Sequence, residues 1–151
     1  MNILSLDCAT QTGWATLING NIESGMQDFS KRRGESNGML FLRFNQWLRD
    51  MIKLSDKFNL VVYELAHHRG GAATEIGVGL MTRAQEFAVE MGAEYTGYHS
   101  ATIKKRIAGY GKASKEEIMA WFQKTTGRAP IDNNESDARA ILELAIKDFA
   151  N

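Results

Sequence analysis

The sequence predicts an α/β domain: a five-stranded mixed sheet, three antiparallel strands followed by two parallel ones, flanked by helices. Three observations carry this. Two strand-like apolar runs precede an Asn19-Gly20 turn, apolar residues recur at helical spacing from Leu40, and the short apolar run "FNLVVYEL" (58–65) then opens an alternation of strands and helices.

Residues 2–7 and 13–18 read as strands, and Asn19-Gly20 supplies residues that tolerate positive φ in a tight hairpin before a third strand over 22–29. Leu40, Phe41, Phe44, Trp47, Leu48, Met51 and Ile52 then trace the buried stripe of a helix packed on the sheet. Residues 58–65 suit a strand covered on both faces. A polar, glycine-rich loop follows, then a helix over 76–91, a strand over 94–99 and a short helix over 100–107 broken by Gly109 and Gly111. "SKEE" (114–117) is a capping box opening a helix to about residue 125. The last helix starts near Asn134 and turns Ala138, Ile141, Leu142, Ala145 and Phe149 inward. Right-handed crossovers bring the fourth strand beside the first, so that their carboxyl ends adjoin.

The 151 residues, 44% of them hydrophobic, fit one domain spanning 1–151. The N-terminus lacks a signal-peptide pattern, and nowhere do about 18 apolar residues run together, so a soluble, cytoplasmic protein with no membrane partner is expected. Cys8 is the single cysteine, which excludes an internal disulfide and any multi-cysteine metal site. Lys plus Arg and Asp plus Glu are equal at 18 each, which argues against a generic polyanion binder. Residues 101–128 are nevertheless basic, with Lys104, Lys105, Arg106, Lys112, Lys115, Lys124 and Arg128 against Glu116 and Glu117, while 131–151 is acidic on balance. Trp14, Trp47, Met39, Met51, Met81 and Met91 read as packing residues. Tyr110, in the glycine turn, is either a stacking residue or plain surface.

Asp7 and Glu64 close the first and fourth strands, at the sheet edge where a change of strand order leaves a ligand crevice. Asp137, in the first turn of the last helix, can point into the same crevice. Taken singly each has a structural explanation: a strand end for Asp7, a surface position for Glu64, an N-terminal capping pair for Asn134 with Asp137. Their joint placement favours a site. Carboxylates a few ångströms apart raise one another's pKa, and a hard divalent cation, Mg²⁺ or Mn²⁺, relieves the repulsion. Two such ions would activate a water and stabilise the leaving oxygen of a phosphodiester.

"LSLDCATQTGWA", "VVYE", "IKKRIAGYGKASKEEI" and "DNNESDARAILELA" resemble, in order and spacing, the RuvC-type Holliday junction resolvases, most closely the short bacteriophage forms. The resemblance covers nearly the whole chain. It implies a ribonuclease H-like fold, a homodimer, and cleavage of four-way DNA junctions with Mg²⁺ or Mn²⁺, with Asp7, Glu64 and Asp137 as catalytic metal ligands. Where the family has an acid or a histidine three residues before the last aspartate, this chain has Asn134. Either Asn134 is a neutral ligand, or Glu135 or Asp132 brings the charge; helical offset ranks Asn134 first and Glu135 second. The resemblance also makes Lys104 and Lys115, flanking Gly109 to Gly111, contacts to the scissile phosphate region; Lys105 and Lys112, in the same basic stretch, are further DNA-binding candidates, with ordinary surface charge the alternative for Lys105. Lys115 falls where a helix N-terminus favours phosphate in any case. The loop after Glu64 lacks the aromatic wedge of the longer enzymes, so Arg69 is expected to contact phosphate. His67 and His68, adjacent on that loop, lack the further ligands a zinc site needs.

Three other functions compete: a catalytically weak or inactive junction-binding protein, motivated by Asn134; a ribonuclease H acting on RNA–DNA hybrids; and a phosphotransferase. The last follows from "DCATQTG", which resembles the phosphate loop of the actin and sugar-kinase group, but that group closes two domains on its nucleotide. Apolar residues within 40–54 and 76–91 are candidates for the dimer surface.

Overall fold

A computed structural model describes residues 1–55, 57–66 and 70–150. The elements are β1 (Ile3–Asp7), β2 (Gln11–Ile18), β3 (Asn21–Asp28), α1 (Asn37–Ser55), β4 (Leu60–Glu64), α2 (Ala72–Met91), β5 (Glu94–Tyr98), α3 (Ser100–Ala108), α4 (Lys115–Thr126) and α5 (Asn133–Phe149). The sheet order is β3-β2-β1-β4-β5. β1, β2 and β3 pair antiparallel, whereas β4 lies parallel to both β1 and β5. This is the mixed sheet that the pattern of the chain predicts, with Asn19 in the hairpin turn the one non-glycine at positive φ among the described residues.

Two-residue alternation decides which helix each strand residue meets. Leu4, Leu6, Val61 and Tyr63 pack with Leu40, Phe44 and Leu48 of α1 and Leu80, Ala84 and Phe87 of α2. Ile3, Leu60 and Val62 face the other way, onto Ala138, Ile141, Leu142 and Ala145 of α5 and Ile118 of α4. The central strands are therefore apolar on both faces, as a sheet sandwiched between helices requires.

Several expectations need correction. α2 starts four residues earlier than the periodicity suggests, at Ala72, directly after the positive-φ glycines 70 and 71. Phe149 is 43% exposed because the last turn of α5 runs past the core, which ends at Leu144 and Ala145. Met39, in the first turn of α1, is exposed, whereas Met51 is buried and Met81 and Met91 are partly so. Trp47 does pack, edge-on to Phe29 at 5.6 Å between ring centroids. No helix among the described residues is long and apolar enough to cross a membrane.

Candidate active site

β1 alternation puts Asp7 on the face of Ile3 and Ser5, toward α5. The Ser5 hydroxyl donates to the Ala138 carbonyl at 2.7 Å, tying the strand to the helix one residue from Asp137. Glu64 follows the same parity at the end of β4, beyond Leu60 and Val62. Gly13 completes the junction. It pairs with Asp7 across the β1–β2 ladder, and a Cβ there would lie 1.8 Å from the Asn134 carbonyl oxygen. Only a glycine lets the first turn of α5 sit this close to β2. Gly13 carried no functional reading in the sequence, although an isolated glycine within a strand is the signal for close backbone approach.

Asp7, Glu64 and Asp137 interact as charges in one crevice. Burial, then Glu64, Asp137 and Asp132, hold the Asp7 carboxyl far above its ordinary range. Asp137 is pushed up to about 7, by burial first and Glu64 second, while Lys104, a hydrogen bond from Asp7 and Lys115 act in the opposite direction. The hydrogen bond between the two side chains raises Asp7 and lowers Asp137, so Asp7 is favoured as its donor. The crevice opens on a cavity of ≈ 360 Å³ lined by Asp7, Cys8, Glu64, Ala73, Thr74 and Gly77, among others. Burial, Asp7 and Glu64 push the Cys8 thiol up, which keeps it protonated and a poor ligand.

Among the described residues no three His, Cys, Asp or Glu side chains are drawn tightly enough together to enclose an ion as they stand. The chemistry of the donors nevertheless fits Mg²⁺ or Mn²⁺: all are carboxylate oxygens, and their mutual repulsion is what a hard divalent cation cancels.

The first turn of α5 separates the remaining candidates. Asp132, not Asn134, is the helix N-cap, its Oδ1 accepting from the Glu135 backbone N–H at 2.9 Å. Asn134 and Asp137 are therefore not the capping pair the sequence allowed. Asn134 Nδ2 lies 3.4 Å from Asp132 Oδ2. Glu135, the second choice for the extra charge, is turned away: fully buried, it accepts from Arg128 at 2.6 Å, the Ser24 hydroxyl at 2.7 Å and the Ile131 N–H at 2.7 Å. Those donors hold its pKa down against the opposing effect of burial, and it is a structural anchor.

On the basic side, Lys104 in α3 and Lys115 at the start of α4 both act on Asp137. Ser114 caps α4, accepting from the Glu117 N–H at 3.2 Å, as its sequence predicts. Lys105 and Lys112 are solvent-exposed. Two other cations of this stretch are engaged structurally, Arg106 with Asp148 at 2.7 Å and Arg128 with Glu135. The Tyr110 hydroxyl donates to Glu117, outside the crevice. Arg69, His67 and His68 lie outside the described residues.

Sheet order, helix placement and crevice together define a ribonuclease H-like domain with a carboxylate site at the ends of β1 and β4. RuvC is a protein with the same fold. The structure of Thermus thermophilus RuvC matches with a TM-score of 0.72 at 19% identity, covering 93% of this chain and 90% of that one. T. thermophilus RuvC in complex with Holliday junction substrate matches at 0.74, with the same identity and coverage. In sequence, 57 residues are 37% identical to the crossover junction endodeoxyribonuclease RuvC of Lawsonia intracellularis (strain PHE/MN1-00). That match takes in 36% of this chain and 34% of the relative, about a third of each. No family model matches.

Proposed function

We propose that this chain is a divalent-metal-dependent endodeoxyribonuclease of the RuvC type, resolving four-way and other branched DNA. The observation that carries this reading is the set of coupled carboxylates, Asp7, Glu64 and Asp137, with Lys104 and Lys115 acting on it, on a RuvC fold. Asp7, Glu64 and Asp137 would hold Mg²⁺ or Mn²⁺. Two such ions supply water activation and stabilisation of the leaving oxygen in phosphodiester hydrolysis. The rest is the work of the protein. Asp7 and Asp137 would serve as anionic ligands only when ionised, so metal binding would release protons from this raised pair to solvent. Lys104, Lys115 and the free N–H groups of the first turn of α4 orient the scissile phosphate against them. A four-way junction offers two symmetric strands, which supports a two-fold homodimer presenting two sites, acting in the cytoplasm on DNA.

The test is cleavage of four-way, replication-fork and linear duplex DNA in each metal with the nicks mapped. Asp7→Asn is expected to abolish cleavage and leave junction binding intact, and full cleavage by that variant overturns the proposal. Junction binding without nicks in either metal would instead identify a binding module, the reading that the neutral Asn134 favours.

A further inference from the structure

α3 carries Lys104, yet little in the core holds that helix at a fixed rotation about its own axis. Ile103 is its one buried residue, with Ile107 and Ala108 partly buried beside it, so its apolar grip on α4 and α5 is a narrow stripe. A second hold lies outside the core. The Asp148 carboxylate, in the last turn of α5, accepts from Arg106 Nη1 at 2.7 Å, from Arg106 Nη2 at 2.9 Å and from the Tyr98 hydroxyl at 2.5 Å. Arg106 first, then Tyr98, keep Asp148 below its ordinary carboxylate range. An isolated surface ion pair contributes little, but a guanidinium forked onto both oxygens of a carboxylate fixes direction as well as distance. Tyr98 ends β5 and Arg106 lies in the second turn of α3, so one carboxylate pins the strand, the helix that follows it and α5.

Lys104 and Arg106 are two residues apart on α3, about 200° around the helix, so they leave it on opposite sides. Arg106 reaches the end of α5, whereas Lys104, half-buried, acts on Asp137 at its start. The two positions are coupled, since a roll of α3 by about 20° would carry a side chain roughly 6 Å from the axis through about 2 Å. We propose that Arg106, Asp148 and Tyr98 are positioning residues for the nuclease reaction, clamping the roll of α3 so that Lys104 faces the crevice of Asp7, Glu64 and Asp137. This rests on the reading of that crevice as the nuclease site and of Lys104 as a contact to the scissile phosphate, and the experiment separates the two.

Junction nicking in Mn²⁺ at saturating enzyme, junction binding in chelator and the melting temperature are measured on the full chain for the wild type, Asp7→Asn, Asp148→Asn, Lys104→Ala and the double variant of the last two. Asn at position 148 cannot accept the fork through two oxygens. It also removes a negative charge, so junction binding should stay within about threefold of wild type while the saturated nicking rate falls about tenfold or more, as misplacement at a reacting centre does. In the Lys104→Ala background the same substitution should change the rate by less than about threefold, because a clamp that acts through Lys104 then has nothing to position. A saturated rate for Asp148→Asn within about threefold of wild type overturns the inference, and so does a tenfold loss that persists undiminished without Lys104. If the wild type nicks no junction, or Asp7→Asn nicks like the wild type, the nuclease reading falls and takes this inference with it. Should Asp148→Asn melt below the assay temperature, Arg106→Lys, which keeps the charge and most of the stem but not the fork, is held to the same outcomes.

Discussion

Adding a single methyl group at position 13 moves the one turn of helix that carries Asp137, and the structure says by how much. In Gly13→Ala the new Cβ would lie 1.8 Å from the Asn134 carbonyl oxygen, 2.2 Å from its carbon and 2.9 Å from the Glu135 nitrogen. All three are backbone atoms and none can rotate away. Ordinary contact begins near 3.4 Å, so β2 and the first turn of α5 must part by about 1.6 Å. Gly13 is not among the glycines at positive φ, so the effect is steric and owes nothing to backbone preference. Overpacking of this kind costs about 1–3 kcal/mol. For a chain of this length that lowers the melting temperature by roughly 2–10 °C, leaving the protein folded at room temperature. Asp137 moves with its turn, and a displacement of about 1 Å at a reacting centre costs about a hundredfold in rate. The assay is the initial rate of junction nicking in Mn²⁺ well below the melting transition, with circular dichroism to show that the helices persist. Nicking within about threefold of wild type would refute the claim that the seat on Gly13 sets the geometry of the carboxylates.

Three further outcomes are expected. Asp137, pushed up to about 7, holds in the folded state a proton that an unfolded aspartate gives up near pH 4, and Asp7 is shifted in the same direction. The chelated protein should therefore lose stability as pH rises from about 4 through 7, and saturating Mn²⁺ or Asp137→Asn should flatten the melting curve against pH; a melting temperature that climbs with pH over 5–8 contradicts this. Arg128→Ala leaves the fully buried Glu135 carboxylate with only Ser24 and the Ile131 N–H, and should destabilise by about 3 kcal/mol at neutral pH and less toward pH 4, where the acid takes a proton, as urea unfolding can measure. Lys104→Ala and Lys115→Ala should each weaken junction binding and lower the salt dependence of log K by about 1, a change that binding isotherms at several salt concentrations would detect. Because both lysines pull Asp137 down, each substitution should also shift the pH profile of cleavage upward.

The strands, their order and the two carboxylates at their ends were legible because each rests on local pattern: continuous apolar runs, an Asn-Gly turn, and alternation that fixes side-chain parity. The first turn of α5 was not. "DNNESD" offers three possible caps and three acids within six residues, and only contacts with distant chain segments distinguish them. Glu135 is anchored by Ser24 on β3 and Arg128 beyond α4, over sequence separations of 111 and 7 residues, which no helical offset encodes. Phe149 and Met39 misled for a similar reason, since periodicity says which way a residue points and not whether a neighbour stands there.

The wedging of that turn, between Gly13 on one side and the Arg128–Glu135–Ser24 lock on the other, has a consequence for the proposed metal dependence. Small zinc modules collapse on chelation because the ion is what holds them. Here the scaffold closes around residues 13, 24, 128 and 135 without help from the crevice, so stripping the cation should leave helix content and slow amide exchange in α5 intact. Scarcity of the ion would silence such a protein without exposing it to proteases, and resupply would revive it at once.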